Sequence, residues 1–233
     1  MIKFNNVSLK YDKDTYAIKD LSLKIDEGEF VFIVGKTGAG KSTLFKLLTR
    51  ELKPSSGSIK VFRDNIEYIS NRDIPYYRRK LGVIFQDFKL LEDRNVYENI
   101  AFAQEVIGVN SFKIKKHVIK ILNLVGLRNK ANKMPNELSG GEKQKVAIAR
   151  AIINKPKILL ADEPTGNLDE VSTNEIISLL NTINQNGTTV VIITHDMHLV
   201  ERMNKRVVRL DEGNLIYDDY GLDNQIKKYL ENE

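Results

Sequence analysis

The spacing of apolar and polar positions changes several times along the chain. Residues 2–25 alternate apolar and polar side chains in two runs, which predicts two half-solvated antiparallel strands. "FVFIV" (Phe30 to Val34) is a continuous apolar run and predicts a strand buried on both faces. A glycine-rich turn and a helical stretch from Lys41 to about Leu52 follow, then another strand, "LGVIF", at Leu81 to Phe85. From Val96 to Val125 the spacing becomes helical, through Ile100, Ala103, Ile107, Ile114, Val118, Ile121 and Leu122. Strand-like runs return in "KILLAD" (157–162), "TVVIIT" (189–194) and "RVVRL" (206–210). This order predicts one α/β domain over residues 1–233. An antiparallel β edge precedes its core, and a mainly helical segment at about residues 87–156 interrupts it.

Composition narrows what such a domain can do. The 233 residues suffice for one substantial core, and 42% hydrophobic with 29% charged residues is ordinary for a soluble globular protein. No apolar run approaches the ~18 residues needed to cross a bilayer. The N-terminal stretch alternates and so lacks the apolar region of a signal peptide. Direct membrane insertion is not expected, and any membrane role goes through a partner. With no cysteine there are no disulfides or thiolate metal sites, which suits a cytosolic setting. The net charge of +5 is scattered, with no aromatic residues interleaved for stacking, so nucleic acid is not an expected partner.

"GKTGAGKST" (Gly35 to Thr43) fits the phosphate-binding pattern of glycine, four residues, glycine, lysine and a hydroxyl residue. Gly35, Lys36, Thr37, Gly38, Ala39 and Gly40 supply backbone N–H groups that can wrap phosphate oxygens at a helix N-terminus. Lys41 can reach the β- and γ-phosphates of a bound nucleotide, Ser42 can place a hydroxyl on Mg2+, and Thr43 completes the motif. Its position after a buried strand and before a helix is the context the motif requires. A second strand, "ILLADE", ends in two acids at the edge where α/β sheets bind ligands. Asp162 suits Mg2+ coordination, and Glu163 suits a general base acting on water. His195 ends another buried strand, with Asp196 beside it as a group that can fix its tautomer. Gln86 follows "LGVIF", where an amide can orient water or touch Mg2+.

"GKTGAGKST", Gln86, "LSGGE" (138–142), "ILLADEP", "NLD" and "THD" occur in the order and approximate spacing of an ATP-binding cassette (ABC) ATPase. The chain resembles that family over nearly its whole length. The resemblance implies a P-loop NTPase core with an inserted helical subdomain and Mg-dependent hydrolysis of ATP. It implies catalytic roles for Glu163, His195 and Gln86, with Ser42, Gln86 and Asp162 at the metal. It also implies that "LSGGE" touches the γ-phosphate bound to a second copy in an ATP-driven homodimer. Ser139, Gly140, Gly141 and Glu142 would then start a helix aimed at that phosphate, and Asp169 would lie at the same interface. Tyr11 is the implied adenine-stacking residue, with Tyr16 as a competitor. The chain departs from the family's common pattern at Lys36, where proline is usual, and at Glu142, where glutamine is commoner. Lys143 and Lys145 replace the usual Gln and Arg.

Fewer than about a hundred residues, without sustained heptads, separate the P-loop from "LSGGE", unlike the DNA-maintenance ATPases of this family. One cassette rather than two sets the chain apart from translation-type members. Arg78 to Gly108, with "FQDFKLL" and "VYENIAFA", most resembles the cell-division ATPase family FtsE. That resemblance implies a cytoplasmic subunit, peripheral at the cell membrane. Its partner would be an FtsX-like integral membrane protein that regulates peptidoglycan hydrolases. Lipoprotein-releasing and macrolide-exporting cassettes share similar text and stand as the alternative. Phe88, Leu90, Leu91 and Tyr97 are the expected docking surface for the membrane partner.

Overall fold

The computed structural model describes residues 1–11 and 15–221, which divide into two compact units, residues 1–78 with 189–221 and residues 79–188. Among the described residues ten strands run in chain order: β1 (Ile2–Lys10), β2 (Tyr16–Ile25), β3 (Phe30–Val34), β4 (Ser56–Val61), β5 (Asp64–Asn65), β6 (Leu81–Ile84), β7 (Ile158–Asp162), β8 (Thr189–Ile193), β9 (Arg206–Asp211) and β10 (Asn214–Tyr220). The helices are α1 (Lys41–Leu48), α2 (Ile74–Arg78), α3 (Val96–Glu105), α4 (Ser111–Leu124), α5 (Gly140–Ile152), α6 (Glu170–Gln185) and α7 (Met197–Met203).

The first unit holds an antiparallel sheet in the order β2-β1-β4-β5. In β1 the buried residues are Ile2, Phe4, Val7 and Leu9, so the alternation slips by one between the first pair and the second. Asn6 absorbs the slip in the left-handed region, at φ 45°, and Asp20 does the same on the facing β2 strand at φ 49°. The Asn6 Nδ2 donates to Asp20 Oδ1 at 3.0 Å, which ties the two irregularities together. Two facing bulges therefore keep Ile2, Phe4, Val7 and Leu9 of β1 and Ile18, Leu21, Leu23 and Ile25 of β2 buried together.

In the same unit β3 lies between β8 and β9, parallel to both, and β10 runs antiparallel to β9. β3 and β8 are buried at every position, which is why their sequences show no polar alternation. α1 follows β3 but stops at Leu48, four residues short of the helical stretch expected from the sequence. Arg50 turns left-handed at φ 59°, and its buried guanidinium donates to the carbonyls of Ile66, Glu67 and Ile69. The carbonyls at the end of α1 are taken by side chains from α2. Tyr77 Oη donates to Leu48 O at 2.6 Å, and Arg78 Nε donates to Thr49 O at 2.9 Å. These bonds satisfy acceptors that a longer helix would have used itself.

The second unit contains the parallel pair β6 and β7, in register from Leu81 with Ile158 to Ile84 with Ala161. It also contains α3 to α6, with α3 packed against both α4 and α5. α4 buries Ile114, Val118 and Leu122 on one stripe. Among the described residues no helix is long and apolar enough to cross a membrane.

Replacing Arg50 by Ala removes three charge-assisted hydrogen bonds and leaves three carbonyls to find new donors. The expected loss of stability is about 3 kcal/mol. Urea unfolding should show a lower midpoint with an unchanged slope; a midpoint equal to that of the parent would contradict this role for Arg50.

Candidate nucleotide site in two halves

The first half lies in the first unit, at the junction of β3 and α1. Gly35 passes so close to Leu210 that an added Cβ would sit 2.3 Å from its carbonyl oxygen. Gly40 is left-handed at φ 101°, and a Cβ there would meet Ala17 O at 2.5 Å. Only glycine fits both positions, and each keeps the loop backbone bare. Lys36, Thr37, Gly38 and Ser42 are exposed, while Ala39 and Thr43 are buried. The Lys41 ammonium folds back over this loop and donates to the carbonyls of Gly35 and Lys36.

The capping of the helices separates α1 from α3 to α7. Side chains accept from the first-turn N–H groups of α3 (Asn95), α4 (Asn110), α5 (Ser139), α6 (Asp169) and α7 (Asp196). α1 starts at Gly40, has no side-chain cap and carries no acid in its first turn. Its N-terminal N–H groups and positive dipole end are thus not answered by a side chain at the cap, the arrangement that suits an anion.

Tyr11 stands at the end of β1, 56% exposed, with its hydroxyl 3.0 Å from Thr43 Oγ1 in α1. Tyr16 is 40% exposed and lies beneath two ammonium groups, Lys10 at 4.4 Å and Lys19 at 5.9 Å from its ring centre. His195 is exposed directly after β8 and Thr194. Asp196 uses its Oδ1 to accept from Leu199 N at 3.0 Å, so it acts as the cap of α7.

The second half lies in the second unit. Asp162 ends β7 and Glu163 follows it, both half-buried. Glu163 is left-handed at φ 46°, so the strand's alternation breaks between the two acids. A glutamate in that conformation is strained, and such strain gathers at working sites. Gln86 is exposed two residues beyond the end of β6.

"LSGGE" forms the start of α5. Ser139 Oγ accepts from Glu142 N at 3.3 Å, and Glu142 Oε2 accepts from Ser139 N at 3.0 Å, a reciprocal capping box. The other carboxylate oxygen of Glu142 pairs with Lys130. The Lys130 hydrogen bond is the main reason the Glu142 carboxyl is held below the usual carboxylate range. α5 and α6 begin side by side: a Cβ on Gly141 would meet Ser172 Oγ at 2.6 Å, and one on Gly140 would meet Leu168 Cδ2 at 3.2 Å. Asp169 caps α6 by accepting from Ser172 N at 2.8 Å and Ser172 Oγ at 2.9 Å. Those bonds hold its carboxyl below the ordinary range. Lys145 pairs with Glu175 of α6 at 2.7 Å, which gives one of the unusual lysines a structural partner.

Several working residues carry little or no signal in the sequence. Asn99 of α3 is fully buried, accepts from Leu91 N and donates to the carbonyls of Leu91, Arg94 and Asn95. Arg150 of α5 donates to Phe88 O at 2.9 Å. Together they pin the segment after Gln86, in which Phe88 and Lys89 are both left-handed. Phe88, Leu90, Leu91 and Tyr97, the expected docking residues, are all half-buried. An Asn on the buried stripe of a helical pattern was the one available hint for Asn99; nothing in the spacing links Lys130 or Arg150 to its partner.

The chain belongs to the ABC transporter family, whose model matches residues 18–166, and it is an ATP-binding cassette ATPase. Within that family it falls among the cell division ATP-binding proteins called FtsE. It is 48% identical to the FtsE of Streptococcus pneumoniae over 96% of this chain and 99% of the relative. To the FtsE of Escherichia coli it is 43% identical, over 92% and 97% of the two chains. A dimeric ATP-binding cassette solved in a post-hydrolysis state with ADP and Pi superposes with a TM-score of 0.85 at 34% identity, covering 96% of this chain and all of that one.

Gly141→Ala forces a Cβ against Ser172 and should cost about 2 kcal/mol in stability. Gly140→Ala presses on the movable end of Leu168, meets Asn167 O only at an ordinary 3.7 Å and gains helix propensity, so it should cost less than about 0.5 kcal/mol. Thermal or urea unfolding of the two variants checks this, and equal losses would contradict it.

Proposed function

We propose that two copies of the chain bind ATP jointly, each nucleotide held by the glycine loop of one copy and the α5 N-terminus of the other. The observation that carries this reading is the uncapped start of α1, set against the side-chain caps of α3 to α7. The bare backbone at Gly35 and Gly40 fits phosphate oxygens, and Lys41 is already turned over that loop. On binding, Lys41 exchanges its two carbonyl partners for the β- and γ-phosphates, and Tyr11 offers its exposed ring to the adenine.

The donor set also fits Mg2+: an exposed hydroxyl on Ser42, the Gln86 amide and the Asp162 carboxylate are all hard oxygen ligands. When bound, Mg2+ would neutralise charge on the phosphates. Glu163 accepts a proton from the water that attacks the γ-phosphorus, and the bond to the ADP oxygen breaks. Gln86 and His195 orient that water and the γ-phosphate. Ser139, Gly140 and Gly141 of the second copy donate to the same phosphate, and Asp169 borders that contact.

Hydrolysis then drives conformational change in an FtsX-like integral membrane partner, which in turn regulates peptidoglycan hydrolases during cell division. The chain itself stays on the cytoplasmic face, held to the membrane by that partner. Support for this role comes from the near full-length similarity to FtsE proteins, and support for pairing comes from the dimeric cassette neighbour.

Glu163→Gln keeps size and hydrogen bonding but removes the base, so ATP turnover should fall at least ~100-fold while ATP affinity is retained. Normal turnover in this variant would remove Glu163 from the mechanism. Ser139→Arg places a bulky cation at the second copy's contact. It should abolish hydrolysis and leave single-chain ATP affinity within about threefold of the parent, because the damage lies across the interface. A matching loss of affinity would argue that Ser139 serves its own chain.

A further inference from the structure

The first turn of α5 contains one acid, Glu142. For the helix alone a carboxylate there is favourable, because it answers the positive dipole end and closes the capping box. For an incoming phosphate it is a rival. It is a negative charge on the turn whose N–H groups the phosphate would use. The structure shows how that conflict is handled. One oxygen of Glu142 is turned back to Ser139 N, and the other is bound by the Lys130 ammonium, contributed by the short turn at Arg128–Lys130. Both groups are partly shielded, with Lys130 36% and Glu142 22% exposed in their side chains, so the pair is screened less than a surface ion pair.

We propose that Lys130 is a positioning residue for the two-copy ATP site. By pairing with Glu142 it cancels the only negative charge in the first turn of α5 and keeps that carboxylate folded against its own backbone. The Ser139 to Gly141 turn then meets phosphate as a net positive helix end. This inference rests on the reading that α5 serves the second copy's ATP. It goes beyond it by assigning Lys130, which lies outside every sequence motif, and by explaining how a glutamate is tolerated in the signature. The role is electrostatic, so it makes a demand that simple bracing would not: Lys130 should matter only while residue 142 is charged.

The test measures the chain concentration at which ATP turnover per chain reaches half its plateau, which reports pairing. Affinity for a fluorescent ATP analogue, measured at concentrations well below that point, reports the single chain. Lys130→Ala should raise the half-plateau concentration about tenfold and leave the affinity unchanged. Lys130→Arg should behave as the parent. Adding Glu142→Gln to Lys130→Ala should restore pairing to within about twofold of the parent, since the amide keeps the capping box without the charge. No change in Lys130→Ala would overturn the proposal, and so would a loss that Glu142→Gln fails to repair, including a loss through unfolding. Ser139→Arg run in parallel separates the two levels. If it pairs and turns over normally, the two-copy reading itself fails. If it is inactive while Lys130→Ala matches the parent, only the role of Lys130 fails.

Discussion

Backbone packed too tightly to accept a Cβ, in or just before the first turn of a helix, is the constraint on which both halves of the site depend. Gly35 against the Leu210 carbonyl and Gly40 against Ala17 set the loop before α1. Gly141 against Ser172 sets the start of α5 beside the start of α6. In each case glycine is needed for space, and at Gly40 for a left-handed φ as well. The reward is the same in both units: backbone N–H groups at a helix end, held in place by packing. An alanine at Gly35 or Gly141 would displace the very element that presents those groups.

Charge is arranged around that constraint. α1 has no cap and no acid in its first turn, so its N-terminal field is not reduced from within. α5 and α6 carry Glu142 and Asp169 at their starts, and hydrogen bonds hold both carboxyls below the usual range. Asp169 is occupied by Ser172, the residue that also touches Gly141, so the two helix starts form one connected unit. α5 is tied from its far end as well, through Arg150 to Phe88 in the segment after Gln86. A shift of α5 would therefore pull on the Gln86 segment within the same unit.

Much of this was legible in the sequence because burial writes itself into period. β3 and β8 read as continuous apolar runs because every position is buried, and Ile158 to Ala161 read likewise. The glycine loop and "LSGGE" were legible for a different reason, since glycine at fixed spacing marks places that no side chain can occupy. Other features were hidden. The end of α1 is set by Arg50 through its partners at residues 66–69 and by two side chains of α2, and no window centred on α1 contains those partners. The slip between Phe4 and Val7 looks like imperfect alternation until the facing bulge at Asp20 explains it. Tyr11 and Tyr16 are equivalent by composition. The fold separates them, setting one hydroxyl on Thr43 and the other ring under lysines.

The central claim is that the α5 N-terminus completes an ATP site belonging to another copy. Light scattering on the Glu163→Gln chain, with and without ATP and Mg2+, tests it most directly, because slow hydrolysis lets any paired state accumulate. The account predicts a mass that doubles on adding ATP and stays at one copy when Ser139→Arg is added to the same chain. A chain that remains single with saturating ATP, or a pair that survives Ser139→Arg, would contradict it.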